Sequence, residues 1–241
     1  MERFTQVIRE NLNVSNLHQG YTFSADSAVK RADFLKDDVK KSIYAQPSIF
    51  EANVHLKRIL KSHIPNEKPH SAYFWMIRKW GGIGAFREND ENIILIDDLL
   101  NTLAENRAFD SRLFGKISSL SKVASFVDSE RYAIYDARAI YTLNWLIAKM
   151  KNKHLDFSMH FFPMSAYVSR NKMINARPFN LIYKKVVNSK FYNKNEAFYK
   201  YCELLQAINP ILFPEYPKEI FRTEMLLFSS IEVAYNDLGN Q

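Results

Sequence analysis

The chain has few of the residues that staple a fold, turn it tightly or carry it across a membrane. A single cysteine, Cys202, occurs in 241 residues. That excludes an intrachain disulfide, a four-thiolate iron–sulfur cluster and a cysteine-built zinc knuckle. Only six glycines are present, and Gly81, Gly82 and Gly84 share one loop, which argues against a barrel or sandwich rich in tight turns. No apolar run reaches the roughly 18 residues of a membrane helix, and the opening MERFTQVIREN lacks the apolar centre of a signal peptide. A soluble cytoplasmic protein is the expectation.

What is present is apolar, aromatic and basic. Hydrophobic residues make up 47% and charged residues 24%, enough for one large domain or two intimately packed lobes. Lys and Arg number 33 against 26 Asp and Glu, a net charge of +7. Such a surface concentrates polyanions and gives salt-sensitive affinity for phosphate backbones.

The apolar spacing predicts helices almost throughout. Val29, Ala32, Leu35, Val39 and Ile43 place one buried face along residues 26 to 43. Residues 48 to 62, 70 to 80, 92 to 106 and 117 to 127 read the same way, as do 178 to 188, 195 to 208 and 217 to 236. Pro210, Pro214 and Pro217 punctuate the last break. Short strands at 21 to 24 or 157 to 162 stay open, but no alternating pattern persists.

The most informative stretch is Ile117–Trp145, ISSLSKVASFVDSERYAIYDARAIYTLNW. Lys122 is read at the first turn of one helix and Asp136 at the start of the next. Breaking a C1′–N bond in DNA passes through a sugar cation, so it needs a carboxylate near C1′, cations for the backbone and a slot for an extruded base. Asp136, after the apolar run Ala133-Ile134-Tyr135, can serve as that carboxylate. Lys122 can serve as an amine nucleophile forming a Schiff base. Lys116, Ser118, Ser119 and Ser121 are read as a polar turn that holds phosphate, with Arg138 beside the next helix start. The bland alternative is two capped helices, with Asp136 an ordinary N-cap and Lys122 a solvated lysine.

Ser121-Lys122-Val123-Ala124 and Ala133-Ile134-Tyr135-Asp136-Ala137-Arg138 resemble the helix-hairpin-helix DNA glycosylases, in the branch typified by 8-oxoguanine DNA glycosylase. The resemblance implies that Asp136 is the catalytic carboxylate and Lys122 the Schiff-base nucleophile. It also implies that Arg138 stands where the family has a phosphate-contacting histidine. Ser118-Ser119-Leu120-Ser121 replaces the glycines of the family's hairpin, and the Lys–Asp interval is shorter by about one helical turn.

Residues 73 to 87, YFWMIRKWGGIGAFR, offer Trp75, Trp80 and Phe86, with Tyr135, as base-stacking groups, and Arg78 and Arg87 as phosphate contacts. Core packing of one of the two tryptophans is the competing reading. Asp97-Asp98 and the lysines 149, 151, 153, 184 and 185 read as solvated faces, the lysines alternatively as a backbone-binding rim. The expectation is therefore an all-α, two-lobed glycosylase-like fold, with one lobe from about 1–45 and 155–241 and the other from 46–154. It would be a monomeric, nucleoid-associated enzyme without metal or cofactor that excises a damaged or modified base from double-stranded DNA, in repair or in defence against phage. A non-catalytic, helical nucleic-acid-binding protein is the alternative.

Overall fold

The computed structural model describes residues 1–154, 156–164 and 190–239; the helix read at 178 to 188, with Lys184 and Lys185, lies outside them. Among the described residues every regular element is helical, as the periodicity predicts. In order they are α1 (Glu2–Asn11), α2 (Leu17–Gly20), α3 (Asp26–Lys30), α4 (Asp37–Tyr44) and α5 (Ile49–Ile59), the last prolonged by a 3-10 turn, Leu60–His63. α6 (Pro69–Trp75) runs on as a π-helical turn, Met76–Trp80. There follow α7 (Asp90–Ala104), α8 (Ser111–Gly115), α9 (Ile117–Val127), α10 (Ala137–Lys153), α11 (Ala197–Leu212), α12 (Phe221–Ser229) and α13 (Ile231–Gly239). The two possible strands reduce to one isolated parallel bridge, Phe161 with Phe191.

Helices α5, α7, α8 and α10 start on side chains that take up first-turn amides. Ser48 accepts from the Glu51 N–H (3.1 Å), Asn89 from Asn92 (3.1 Å), Asp110 from Leu113 (2.7 Å) and Asp136 from Arg138 (2.8 Å). The segment 26–43 is two helices rather than one. Its i→i+3 bonds from Ala32 to Val29 and from Leu35 to Ala32 make a turn that keeps Ala32 and Leu35 buried. The break therefore leaves the apolar spacing intact and periodicity cannot reveal it; Asp37 and Asp38 open α4, where acidic groups suit a helix start. Residues 217 to 236 likewise divide at Ser230.

Pro210 does not break α11 but sits within its last turn. The loss of one intrahelical bond there is outweighed by the buried Leu204, Leu205, Ile208 and Leu212. The turn is held instead by buried Asn209. Its amide donates to the carbonyls of Tyr216 (2.8 Å) and Pro217 (3.2 Å), and its oxygen accepts from Thr223 (2.8 Å) on α12.

α10 is buried on most of its surface and packs along α12, with α1 and α13 on other sides. The Trp145 indole and Lys149 both reach Asp237, at 2.9 and 3.1 Å. α9 packs against the π-helical turn and α7. Two buried bonds fix the segment entering α10: the wholly buried Ser121 hydroxyl of α9 accepts the Tyr135 N–H at 2.9 Å, one residue before Asp136, and the Tyr201 hydroxyl donates to the Ile134 carbonyl at 3.1 Å. Ser121→Ala is expected to strand that amide and lower stability by about 1–3 kcal/mol, readable as a shift in the denaturant midpoint.

Candidate active site

α9, the start of α10, α12 and the end of the π-helical turn enclose a cleft of about 80 Å³. Tyr21, Phe23, Trp80 and Phe228 give it an aromatic rim, and Lys122, Asp136, Arg138 and Glu224 also line it. Two of the rings close on each other, Phe23 meeting Phe228 edge-on at 6.1 Å between centroids. A larger depression of about 620 Å³ lies beside α1, but it contains none of the candidate residues, and its Arg3–Asp156 pair (3.6 Å) is exposed.

Lys122 does not open its helix. Ile117–Val127 is helical throughout, so Lys122 lies at mid-helix and Ser118, Ser119 and Ser121 belong to the helix rather than to a polar turn. Its side chain is buried, its stem runs against Gly81, and its Nζ donates to the Ser118 carbonyl at 2.5 Å. A methyl group at position 81 would collide with the Lys122 Cδ and Cε and stand 2.8 Å from the Ile77 carbonyl. Burial, rather than a helix terminus, pushes the Lys122 amine below its usual range; Asp136 and Glu224 oppose that shift and Arg138 adds to it.

Asp136 is half-buried and caps α10 through one oxygen. The cap reading and the cleft reading thus describe the same side chain. Arg138 lays its guanidinium 4.5 Å from the Phe228 ring centre.

Two further ionisable groups stand here that the sequence reading passed over. Lys57 of α5 is almost wholly buried, with its Nζ 4.0 Å from the Phe126 ring centre and 5.1 Å from that of Trp80. It donates to Ser125 (2.5 Å), whose hydroxyl donates to the Lys122 carbonyl (3.0 Å). Burial lowers Lys57 to about 7, with Glu224 opposing and Lys122 reinforcing the shift. Glu224 of α12 is buried at 4% exposure, and its Oε2 has no hydrogen-bond partner. Burial raises it to about 8; Lys57 and Lys122 pull it down and Asp136 pushes it up. The signal was in the sequence: Lys57 follows Val54 by three, and Glu224 precedes Leu227 and Phe228 by three and four, so both occupy apolar-face positions.

The remaining candidates divide. Trp80 lines the cleft while its indole N–H reaches Asn53 (3.2 Å). Trp75 does not: its N–H donates to the Ala28 carbonyl (2.8 Å) and its ring packs on Phe34. Phe86 is buried against Phe74, and the Tyr135 hydroxyl reaches the Pro163 carbonyl (2.6 Å) among Phe114, Phe198 and Tyr201. Those three are core residues, because their bulk fills gaps between helices away from the cleft. Ser119 and Ser121 are too buried to meet a phosphate, and Ser118 is partly exposed. Lys116 and Arg87 are exposed; Arg78 is paired with Glu88.

Asp97 bonds His70 (2.8 Å) and Asp98 pairs with Arg112 (2.5 Å). Lys151 bonds the Phe157 carbonyl (3.2 Å) and Lys153 bonds Glu10 (2.8 Å), so both are engaged within the fold. Among the described residues no cluster of three or more His, Cys, Asp or Glu is arranged to hold a metal, and no helix is long and apolar enough to cross a membrane. No protein-family model, curated protein or solved structure matches the chain.

The burial of Glu224 makes stability depend on pH. Its folded carboxyl keeps a proton from its ordinary 4.5 up to about 8, so folding binds a proton in that window and the wild type loses stability as pH rises through it. Lys57 acts in the opposite direction, from about 7 up to 10.5, and remains in both proteins. Glu224→Gln is therefore expected to gain Tm relative to the wild type between pH 5 and pH 9, measured by thermal melts at both values.

Proposed function

We propose that this chain is a DNA N-glycosylase with an associated lyase step, acting on a damaged or modified base everted from the duplex. The observation that carries the reading is that Lys122 and Asp136 line one aromatic-rimmed cleft with Arg138 at its edge. The net charge of +7 suits a phosphate-bearing partner. The resemblance of the Lys122 and Asp136 segments to helix-hairpin-helix glycosylases supplies the reaction class, and with it the two-lobed reading.

In this mechanism the base stacks among Trp80, Phe23 and Phe228. The cleft of about 80 Å³ is below the several hundred Å³ of typical small-molecule sites, so Phe23 and Phe228 part as the nucleotide arrives. Asp136 faces the sugar and stabilises the cation that develops at C1′ as the C1′–N bond lengthens. The bonding pair departs with the base. The Lys122 amine, whose ammonium form burial disfavours, bonds to C1′ and gives up a proton. Opening of the sugar ring then leaves a Schiff base, from which β-elimination nicks the strand. Arg138 receives the phosphate beside the α10 N-terminus.

Asp136→Asn separates this reading from a non-catalytic nucleic-acid binder, because asparagine caps a helix as well as aspartate does. The variant is expected to keep its Tm and its salt-dependent duplex affinity while base release falls by roughly 10²–10³-fold. Duplexes carrying 8-oxoguanine, hypoxanthine, 7-methylguanine or hydroxymethylcytosine are the substrates, with freed base as the readout. Borohydride is expected to trap a covalent adduct that Lys122→Gln abolishes. If the wild type yields neither free base nor abasic product from any duplex, the protein is not a glycosylase for those lesions and the binding-protein reading replaces it.

A further inference from the structure

The cleft holds two carboxyl groups in opposite surroundings. Asp136 receives a backbone N–H at a helix N-terminus, where negative charge is favoured. Glu224 receives none at Oε2, is buried, and lines the same cleft. Lys57 from α5, Lys122 from α9, Asp136 from α10, Tyr21, and Tyr201 from α11 are the charged and titratable groups that act on it or that it acts on, and Arg138 lines the same cleft. Its preferred state at neutral pH is the protonated one, because burial outweighs the nearby amines. Where two carboxyl groups flank a glycosidic bond and their surroundings set them apart, one serves as proton donor and the other as the stabilising anion.

We propose that Glu224 is the general acid that protonates the departing base. The assignment rests on the glycosylase reading above and deepens it. The Glu224 proton passes to a ring nitrogen or carbonyl oxygen of the everted base. The C1′–N bond breaks, its electron pair stays with the base, and the base leaves neutral while Asp136 faces the sugar cation. When the Lys122 amine bonds to C1′ it carries one proton too many, and that proton returns to the Glu224 carboxylate. Atoms and charge balance within the cleft, and the acid is restored. The substrate class follows: bases that leave poorly unless protonated, in contrast to those that already bear a positive charge.

The test compares the wild type with Glu224→Gln, which keeps the shape and has no proton to give. Single-turnover release is followed from duplexes with a neutral lesion (8-oxoguanine or hypoxanthine) and from duplexes with 7-methylguanine, which departs without an acid. Release of the neutral base is expected to fall by roughly 10²–10⁴-fold, while 7-methylguanine changes by no more than a few fold. The wild-type rate on the neutral base is expected to decline above about pH 8, and the variant to lack that limb. An infrared carbonyl band of a protonated carboxyl group at neutral pH, lost in Glu224→Gln, reads the acid without relying on turnover. Equal losses on both substrates, an unaltered neutral-base rate, or absence of the band would overturn the assignment of Glu224 alone. A wild type that releases no base from any duplex would remove the glycosylase reading and this role with it.

Discussion

Desolvation of charge governs this molecule's centre. Lys57, Lys122 and Glu224 are held almost entirely out of water, the last two in the lining of one small cleft, and isolated charges in such surroundings are costly. The fold offsets that cost in part: two aromatic rings face the Lys57 ammonium position, Ser125 accepts its bond, and the Ser118 carbonyl accepts from Lys122. It leaves Glu224 Oε2 without a partner. A core optimised for stability alone would fill these positions with leucine or methionine, since replacing buried ionic groups by well-packed apolar ones is often neutral or favourable. Their burial beside one another is the feature on which the proposed chemistry rests.

The helices themselves hold the groups in register. Asn209 and Thr223 set α12 relative to the end of α11, so Glu224 faces inward. Ser121 ties the strand-like approach to α10 onto α9, so that Asp136 arrives beside Lys122. The π-helical turn, with the Gly81 N–H reaching back five residues to Met76 at 2.9 Å, brings Trp80 edge-on to Phe126 (4.9 Å) and Phe23 (5.2 Å). Each device is local, yet together they converge on one volume of tens of cubic ångströms.

The all-helical class and the start of α10 at Asp136 were legible because apolar spacing and capping residues are local signals. The split between α3 and α4 was not, because Ala32 and Leu35 remain buried through the turn and the stripe never falters. Lys122 was placed at a helix start because Ser118, Ser119 and Ser121 look like turn residues; tertiary packing made them helical and buried. Trp75, Phe86 and Tyr135 were drawn toward the site by their aromaticity, whereas partners far along the chain, Ala28 and Pro163 among them, assign them to the core. Lys57 and Glu224 were missed for the opposite reason. Each stands beside another charged letter in its helix, Arg58 next to Lys57 and Arg222 near Glu224, and what makes it notable is the neighbour brought to it from a distant segment.

Gly81 has the last word on the amine's position. The space its missing side chain leaves is occupied by the methylene stem of Lys122, with the Ile77 carbonyl closing the other side. One hydrogen atom, in place of any larger substituent, thus determines whether the lysine lies folded into the interior or is driven elsewhere. Variation at this position is constrained by the path of a neighbouring side chain, a restriction invisible to anyone inspecting the loop's own backbone.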